Sequence, residues 1–448
     1  MRTEHELAEA LKNAANGAPV PADLERGVAD RRRRRTRRRH GSLLAAAGVV
    51  AVVLGGTAVV RGGHVPPSAD PVASAAAGAP DDADADADQA PRARDVWPEA
   101  VTTFPKKAAD GFKYRPVTAL GPTEILLTAE ASFEKAGRLE VYDTRTRASR
   151  VLATMAPRGK GYYPQDFEVG SDYIAWYGTT PNNGRKWADF WVAPRQGGEP
   201  IRVGEVTGDL ALVDRIGVTG DHIVWSPKSG GVYRMPIAGG EPEKVEGTDG
   251  LWLDSWPWAR DVPGDSFPDE KWRNANQALL VDLENGTRRR ITPPSGVTGL
   301  RCSTEWCLGT SGEKALSMRI DGTDVRELPG GPSGTLEIHG DRFAELGVGL
   351  PAIYDLATGR AGGIGATTRD GRGGGWGMGV SSSPAQVYYW NAHGVETKET
   401  CGPMPERQRK ALAEAGAPSP GATMCTTETV EPGDENEILN LAAVPPAG

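Results

Sequence analysis

From Val96 onward, apolar and polar positions alternate in short runs separated by polar turns, the period of half-buried β-strands. The runs repeat. Val169-Gly-Ser-Asp-Tyr-Ile-Ala-Trp176 matches Val218-Thr-Gly-Asp-His-Ile-Val-Trp225 at both ends, and Ile338-His-Gly-Asp-Arg-Phe-Ala344 is a shorter echo. A second hairpin follows each, as in the runs from Phe190 and Val232, with further copies from Leu139, Leu279, Leu316 and Ala352. Asn-Gly, Asp-Gly and Gly-Gly pairs supply the positive φ that tight hairpins need. With Thr146, Gly198, Gly240, Gly286, Gly322 and Gly359 as turn markers, the spacings are 52, 42, 46, 36 and 37, and Gly394 lies another 35 on. A period near 40 residues made of short strands predicts propeller blades. Seven markers favour seven blades; six with an irregular end is the alternative, and a pair of β-sandwiches, which needs no repeat, is the rival fold. Trp176 and Trp225 are expected in blade cores.

The N-terminal part has a different pattern. Ser42 to Val60 is 19 residues without a charge or a polar stripe. As a helix it is about 28 Å long, close to the thickness of bilayer hydrocarbon. Arg31–Arg35 and Arg37–Arg39 precede it, and Asp81, Asp82, Asp84, Asp86 and Asp88 follow it. Basic residues stay inside, so the N-terminus is expected in the cytoplasm and the C-terminal domain outside. A cleaved signal peptide would have a shorter charged region and a shorter apolar one. Thr3 to Glu6 fits a capping box, and Leu7, Leu11 and Ala14 share a helical face, so a short cytoplasmic helix is expected. Residues 61–95, rich in Ala, Pro, Asp and Gly, hold too few bulky apolar side chains to offset chain entropy and are expected to be a disordered linker. The expected organisation is therefore 1–41 cytoplasmic basic tail, 42–60 transmembrane helix, 61–95 linker and 96–448 all-β propeller.

Charge sharpens this division. The formal net charge is −8, yet residues 1–61 carry 12 Lys+Arg against 6 Asp+Glu, which leaves −14 for the rest. So acidic a domain is poorly suited to nucleic acid, whose binding relies on neutralising phosphates. The aspartate run after the anchor lacks the glycine and distal glutamate of a calcium loop and reads as solvated spacer.

Candidate chemistry is sparse. Cys302, Cys307, Cys401 and Cys425 all fall in the outer domain, where an even count implies disulfides. Three pairings are possible, and nearness in sequence favours Cys302 with Cys307 and Cys401 with Cys425. Their spacing does not suit zinc, so no metal or cofactor is expected. His222 and His339 occupy similar turns beside Gly-Asp pairs, which points to turn roles. Nucleophile-elbow, zincin and P-loop motifs are absent. The stretch Leu251 to Arg260 carries Trp252, Trp256 and Trp258, with Trp272 close behind, in a blade lengthened by residues 261–270. Trp256, Trp258 and Trp272 are the candidate binding residues, since Pro257 interrupts the strand and an exposed indole suits a sugar or a protein partner.

The Arg31–Arg39 block, the apolar span, Trp97-Pro98-Glu99-Ala100-Val101 and hairpins such as Val141-Tyr-Asp-Thr together resemble actinobacterial single-pass membrane proteins with TolB-like or WD40-like propellers. The resemblance covers nearly the whole chain and carries no motif for an activity. It implies an extracytoplasmic binding or scaffold protein, partnered by the bilayer and by an envelope protein or glycan. Some such proteins sit beside extracytoplasmic-function sigma factors, which implies envelope sensing linked to signalling. The alternative is a propeller enzyme, a hydrolase or lyase, acting on envelope glycans.

Overall fold

The computed structural model describes residues 90–447 apart from 131–136, 156–161, 181–185, 265–269, 333–335, 349, 367–374 and 404–422. The expected tail helix, the span 42–60 and the linker up to residue 89 lie outside the described residues. Among the described residues no helix is long and apolar enough to cross a membrane.

Among the described residues, seven antiparallel sheets form the blades; the first six follow one another along the chain, each running outward from its first strand. Blade 1 comprises Lys113–Ala119, Glu124–Glu130, Arg138–Asp143 and Ala148–Thr154. Blade 2 comprises Tyr163–Val169, Tyr173–Thr179, Trp187–Pro194 and Ile201–Thr207. Blades 3 to 6 begin at Val213, Trp252, Thr298 and Gly331. Blade 7 is composite: Trp376–Met378, Val387–Asn391 and Glu435–Asn440 are joined at the outer edge by Val101–Pro105 from the other end of the domain, with Val101 opposite Leu439. The N-terminal strand thus closes the ring. The propeller lies within one compact unit of residues 78–400 and 428–448. Glu396–Pro403 and Thr423–Val430 form a two-stranded sheet of their own.

The blades bury their faces against one another, as the repeat requires. Among the described residues seven apolar clusters occur, and each bridges one pair of neighbouring blades. Phe190, Val192, Ile216 and Trp225 join blades 2 and 3. Phe104, Tyr114, Ile125, Tyr142 and Ile438 join blades 7 and 1. Trp176 and Trp225, 2% and 0% exposed, are blade-core residues as expected.

Six of the seven turn markers fall in the turn between third and fourth strands. At two of them the Gly197 and Gly239 N–H groups donate to Pro194 O and Pro236 O, and at three an aspartate closes an Asx turn. Asp143 accepts from the N–H groups of Arg145 and Thr146, Asp282 from Glu284 and Asn285, and Asp355 from Ala357 and Thr358. Gly286, Gly322 and Gly359 then take positive φ of 73°, 86° and 74°. Gly394 is not equivalent: it follows the second strand of blade 7, whose fourth strand is not downstream but is Val101–Pro105. The count of seven holds, while its seventh marker does not.

The packed chain also begins earlier than the expected boundary at 96. Arg92 bridges Gly363 on the outer edge of blade 6, and Ala93–Val96 is a single helical turn with Ala93 fully buried. Trp97 packs edge-on against Phe343 at 6.2 Å. Gly362 is needed beneath it, because a Cβ there would lie 2.6 Å from the indole.

Candidate functional site

The innermost strands line the propeller axis. Between the first and second strands, blades 1 to 5 turn in two to four residues, and blade 6, whose inner edge resumes at Ile338–His339, turns in three before Phe343; in blade 7 the same turn runs from Gly379 to Gln386. This segment crosses the axis. Its Val380 N–H donates to Pro116 O of blade 1 at 3.2 Å, and its Ser382 N–H donates to Phe167 O of blade 2 at 2.7 Å. Ser382 Oγ accepts from Ile216 N–H of blade 3 at 2.8 Å. Ala385 O meets His339 Nδ1 of blade 6 at 2.8 Å, and Pro384 lines a small void with residues of blades 4, 5 and 6. The Ser-Ser-Ser-Pro run is suited to this: small side chains fit between converging strands, and hydroxyls satisfy strand ends.

Beside this plug lies a buried charge network. Arg215 of blade 3 donates to Asp254 O at 2.8 Å and pairs with Glu337 of blade 6. Arg260 of blade 4 pairs with Asp254 Oδ1 at 3.0 Å. Arg301 of blade 5, 3% exposed, donates to Trp272 O and Ala275 O, the carbonyls at the end of the short helix Glu270–Asn274. Removing one partner of such a set would strand a buried charge, at a cost of about 3–5 kcal/mol.

On blade 2, Asp166 and Glu168 stand two residues apart on the innermost strand, Asp166 within the register irregularity between Pro164 and Phe167. Each keeps some contact with solvent, yet protein encloses both. Burial raises Glu168 to about 7, opposed by its bonds from Ser383. Burial raises Asp166 to about 6; Arg215 opposes the shift and the neighbouring Asp214 adds to it. His339 is fully buried, and burial lowers it to about 4. With Nδ1–H given to Ala385 O, the neutral ring holds the plug. The expected turn role is therefore corrected for His339: it is a core residue at the axis. His222 does sit at its turn, bonded to Asp221 at 2.8 Å.

A second feature is a cavity of about 540 Å³ between blades 7 and 1, the seam where the ring closes. Tyr389, whose ring faces blade 1, supplies an aromatic wall; Trp376 and Trp390 line the cavity while their rings pack on the blade 6 side, and Lys106, Lys113 and Arg115 are its cations. The Tyr389 ring lies across Gly377, its strand partner, where a Cβ would come within 2.5 Å of the ring. Only glycine leaves that space.

The structure divides the three candidate tryptophans. Trp256 and Trp258 flank the turn between the first two strands of blade 4, both half-buried. Trp256 Nε1 donates to Glu284 at 3.1 Å, and Arg289 lies over the Trp258 ring at 4.9 Å. Trp272 belongs to the insert between the second and third strands, at the other end of the blade, where it meets Trp252 at 5.2 Å. Asp261 clamps that insert by accepting from Ala278 and Leu279 N–H. The cysteines behave as expected where described. Cys302 and Cys307 are joined across the first turn of blade 5, and Cys401 is disulfide-bonded too; the Cys425 side chain lies outside the described residues. Among the described residues no cluster of His, Cys, Asp or Glu could hold a metal ion.

Sequence reading missed the plug, the axial charges and the seam cavity. The eight residues between Met378 and Val387, against two to four elsewhere, were the available signal for the first.

Seven meander sheets around a shared axis define a seven-bladed β-propeller. Among solved structures, the chain is similar to an oligogalacturonate lyase in complex with manganese, at 9% identity and TM-score 0.38, over 61% of this chain and 86% of that one. It is also similar to YCF48 from Cyanidioschyzon merolae, at 10% and 0.39, over 64% and 95%, and to BamB from Moraxella catarrhalis, at 9% and 0.32, over 58% and 74%. At these values the likenesses add nothing to the sheet topology. No protein-family model and no curated protein matches the chain.

Proposed function

We propose that this chain is a binding protein of the cell envelope, its propeller held outside the membrane by the span 42–60 and its ligand taken up on the propeller rather than in the axis. The observation that carries the reading is the plug: Gly379–Gln386 fills the axis, and Arg215, Arg260, Arg301, Asp254 and Glu337 beside it are paired with one another or bonded to main chain. A propeller built to display a surface fits this arrangement. The span and the basic tail supply the means of display, and the tail gives a sensor its route to the cytoplasm.

A second reading, a glycan-cleaving enzyme, draws on Asp166 and Glu168. A carboxyl group that stays protonated near neutrality is what general acid catalysis needs, and these two sit at about 6 and about 7. One experiment separates the readings. The full chain is incubated with cell-wall glycan, and both bound glycan and released ends are measured. Binding without release supports display; release that Asp166→Asn abolishes supports the enzyme. The orientation is tested in intact cells: an impermeant thiol reagent should label Ser68→Cys and spare Thr3→Cys.

A further inference from the structure

We infer that the outer edge of blade 4, Arg288–Arg290, is a docking strip for the acidic run Asp81–Asp88 of a neighbouring copy of this chain. The inference goes beyond the binding reading and does not depend on what the propeller takes up. All three arginines are exposed. Their strand is the last of its sheet, and among the described residues it pairs only on its inner side, with Leu279–Asp282. Arg288 and Arg290 stand opposite Val281 and Leu279, which pack towards blade 3; Arg289 stands opposite Leu280, which packs towards blade 5. Arg289 is held in place, donating to Thr304 O at 2.8 Å and lying over the Trp258 ring.

Cations on an edge strand discourage unwanted pairing. That need does not account for an unbalanced edge, because the other charged edges are neutralised in place. On blade 1 Arg150 pairs with Glu124 at 3.8 Å, and on blade 2 Arg202 pairs with Glu205 at 2.8 Å. On blade 3 Glu243 pairs with Arg234 at 3.0 Å and Lys244 with Asp249. On blade 5 Glu327 pairs with Lys314 at 3.0 Å and Arg326 with Asp324 at 3.9 Å. Among the described residues no carboxylate pairs with Arg288, Arg289 or Arg290, although residues 62–448 carry −14.

The matching charge lies in the same sequence. Asp82, Asp84, Asp86 and Asp88 alternate with Ala83, Ala85 and Ala87. Extended, such a run sets four carboxylates on one side, at the two-residue spacing of Arg288 and Arg290. Opposite charges on adjoining strands stabilise the pairing, and exposed ion pairs that contribute little singly act together as a row. The chain next to this run already adds to a blade edge, for Arg92 bridges Gly363 of blade 6 in parallel. That contact starts the chain's own run at blade 6, with blade 5 between it and the strip, so the occupant comes from a neighbouring copy.

The test follows the fluorescence anisotropy of a labelled peptide of residues 78–89 added to the full chain in detergent micelles. In this receptor Asp81, Asp82, Asp84, Asp86 and Asp88 are changed to asparagine, so its own run does not compete. The peptide should bind, and its all-asparagine form at least about tenfold more weakly. Added salt should weaken the first and leave the second unchanged. Arg288→Ser with Arg290→Ser should abolish the difference between the peptides, whereas Arg150→Ser, on the balanced edge of blade 1, should keep it. These side chains are exposed, so folding stays intact, which circular dichroism checks. Chemical cross-linking between copies of the wild-type chain should fall with either the arginine or the aspartate changes. No binding, equal binding of the two peptides, a preference that survives Arg288→Ser with Arg290→Ser, or cross-linking that neither set of changes lowers overturns the inference and leaves the binding reading untouched.

Discussion

Glu168 Oε2 accepts the Ser383 N–H at 2.8 Å and so ties blade 2 to a segment 215 residues further along the chain. Burial lifts this carboxyl from 4.5 to about 7. A raised acid favours the folded state while protonated; its contribution is full below about 4.5 and is lost as pH rises towards 7. Glu168→Gln keeps an acceptor for Ser383 and removes the titration. The variant should match the wild type near pH 4 and exceed it at pH 8 by on the order of 1–3 kcal/mol in urea unfolding. Parallel curves at all pH values would refute the assignment.

His339 gives the opposite sign. Buried and lowered to about 4, it stays neutral in the folded protein while the unfolded chain takes up a proton near 6.5. Its contribution is full above 6.5 and is lost as pH falls towards 4. Ala385 O, the Tyr388 ring and the Arg215 charge face it. In His339→Asn the amide can still donate to Ala385 O. That variant should be less stable at neutral pH by about 1–3 kcal/mol, but its stability should fall less between pH 6 and 4 than the wild type's.

Cys302 and Cys307 are both buried and close a loop of five residues' separation. Loop entropy for so short a crosslink is about 2 kcal/mol. The double variant Cys302→Ala, Cys307→Ala should lose at least that in denaturant unfolding. Non-reduced peptide mapping should show the Cys302–Cys307 bridge directly.

The tryptophans of blade 4 should separate by burial. Trp252 is 6% exposed and braced by Trp272, so Trp252→Ala should cost about 3–5 kcal/mol. Trp256 is half-buried at a turn and bonds to an exposed glutamate, so Trp256→Ala should cost within about 1 kcal/mol. Equal losses would place Trp256 in the core.

What the sequence revealed and what it concealed divide along local and non-local physics. Asp143, Asp282 and Asp355 make their turns with residues two and three positions on, so the motif and its cause lie in one short window. Trp176 and Trp225 recur because equivalent blade interfaces need similar rings. The axial network has no such window. Arg215 meets Asp254 across 39 residues and Glu337 from another blade, and each looks like an ordinary surface charge in its own strand. The seam cavity is less legible still, since its walls come from both ends of the domain. Gly394 shows the same limit: a marker counted by spacing cannot reveal that blade 7 borrows a strand from upstream.

That borrowed strand also sets an order of events during synthesis. Val101 leaves the ribosome early, but its partner Leu439 is made 338 residues later (439 − 101). Blades 1 to 6 can each zip up from consecutive hairpins as they emerge, whereas the seventh must wait. At about 5–20 residues per second, the first strand spends on the order of tens of seconds as an unpaired edge. Such an edge is a template for pairing with another nascent chain. Pro105 at its end and the docking of Ala93–Val96 on blade 6 are the features that limit how long and how freely it is offered.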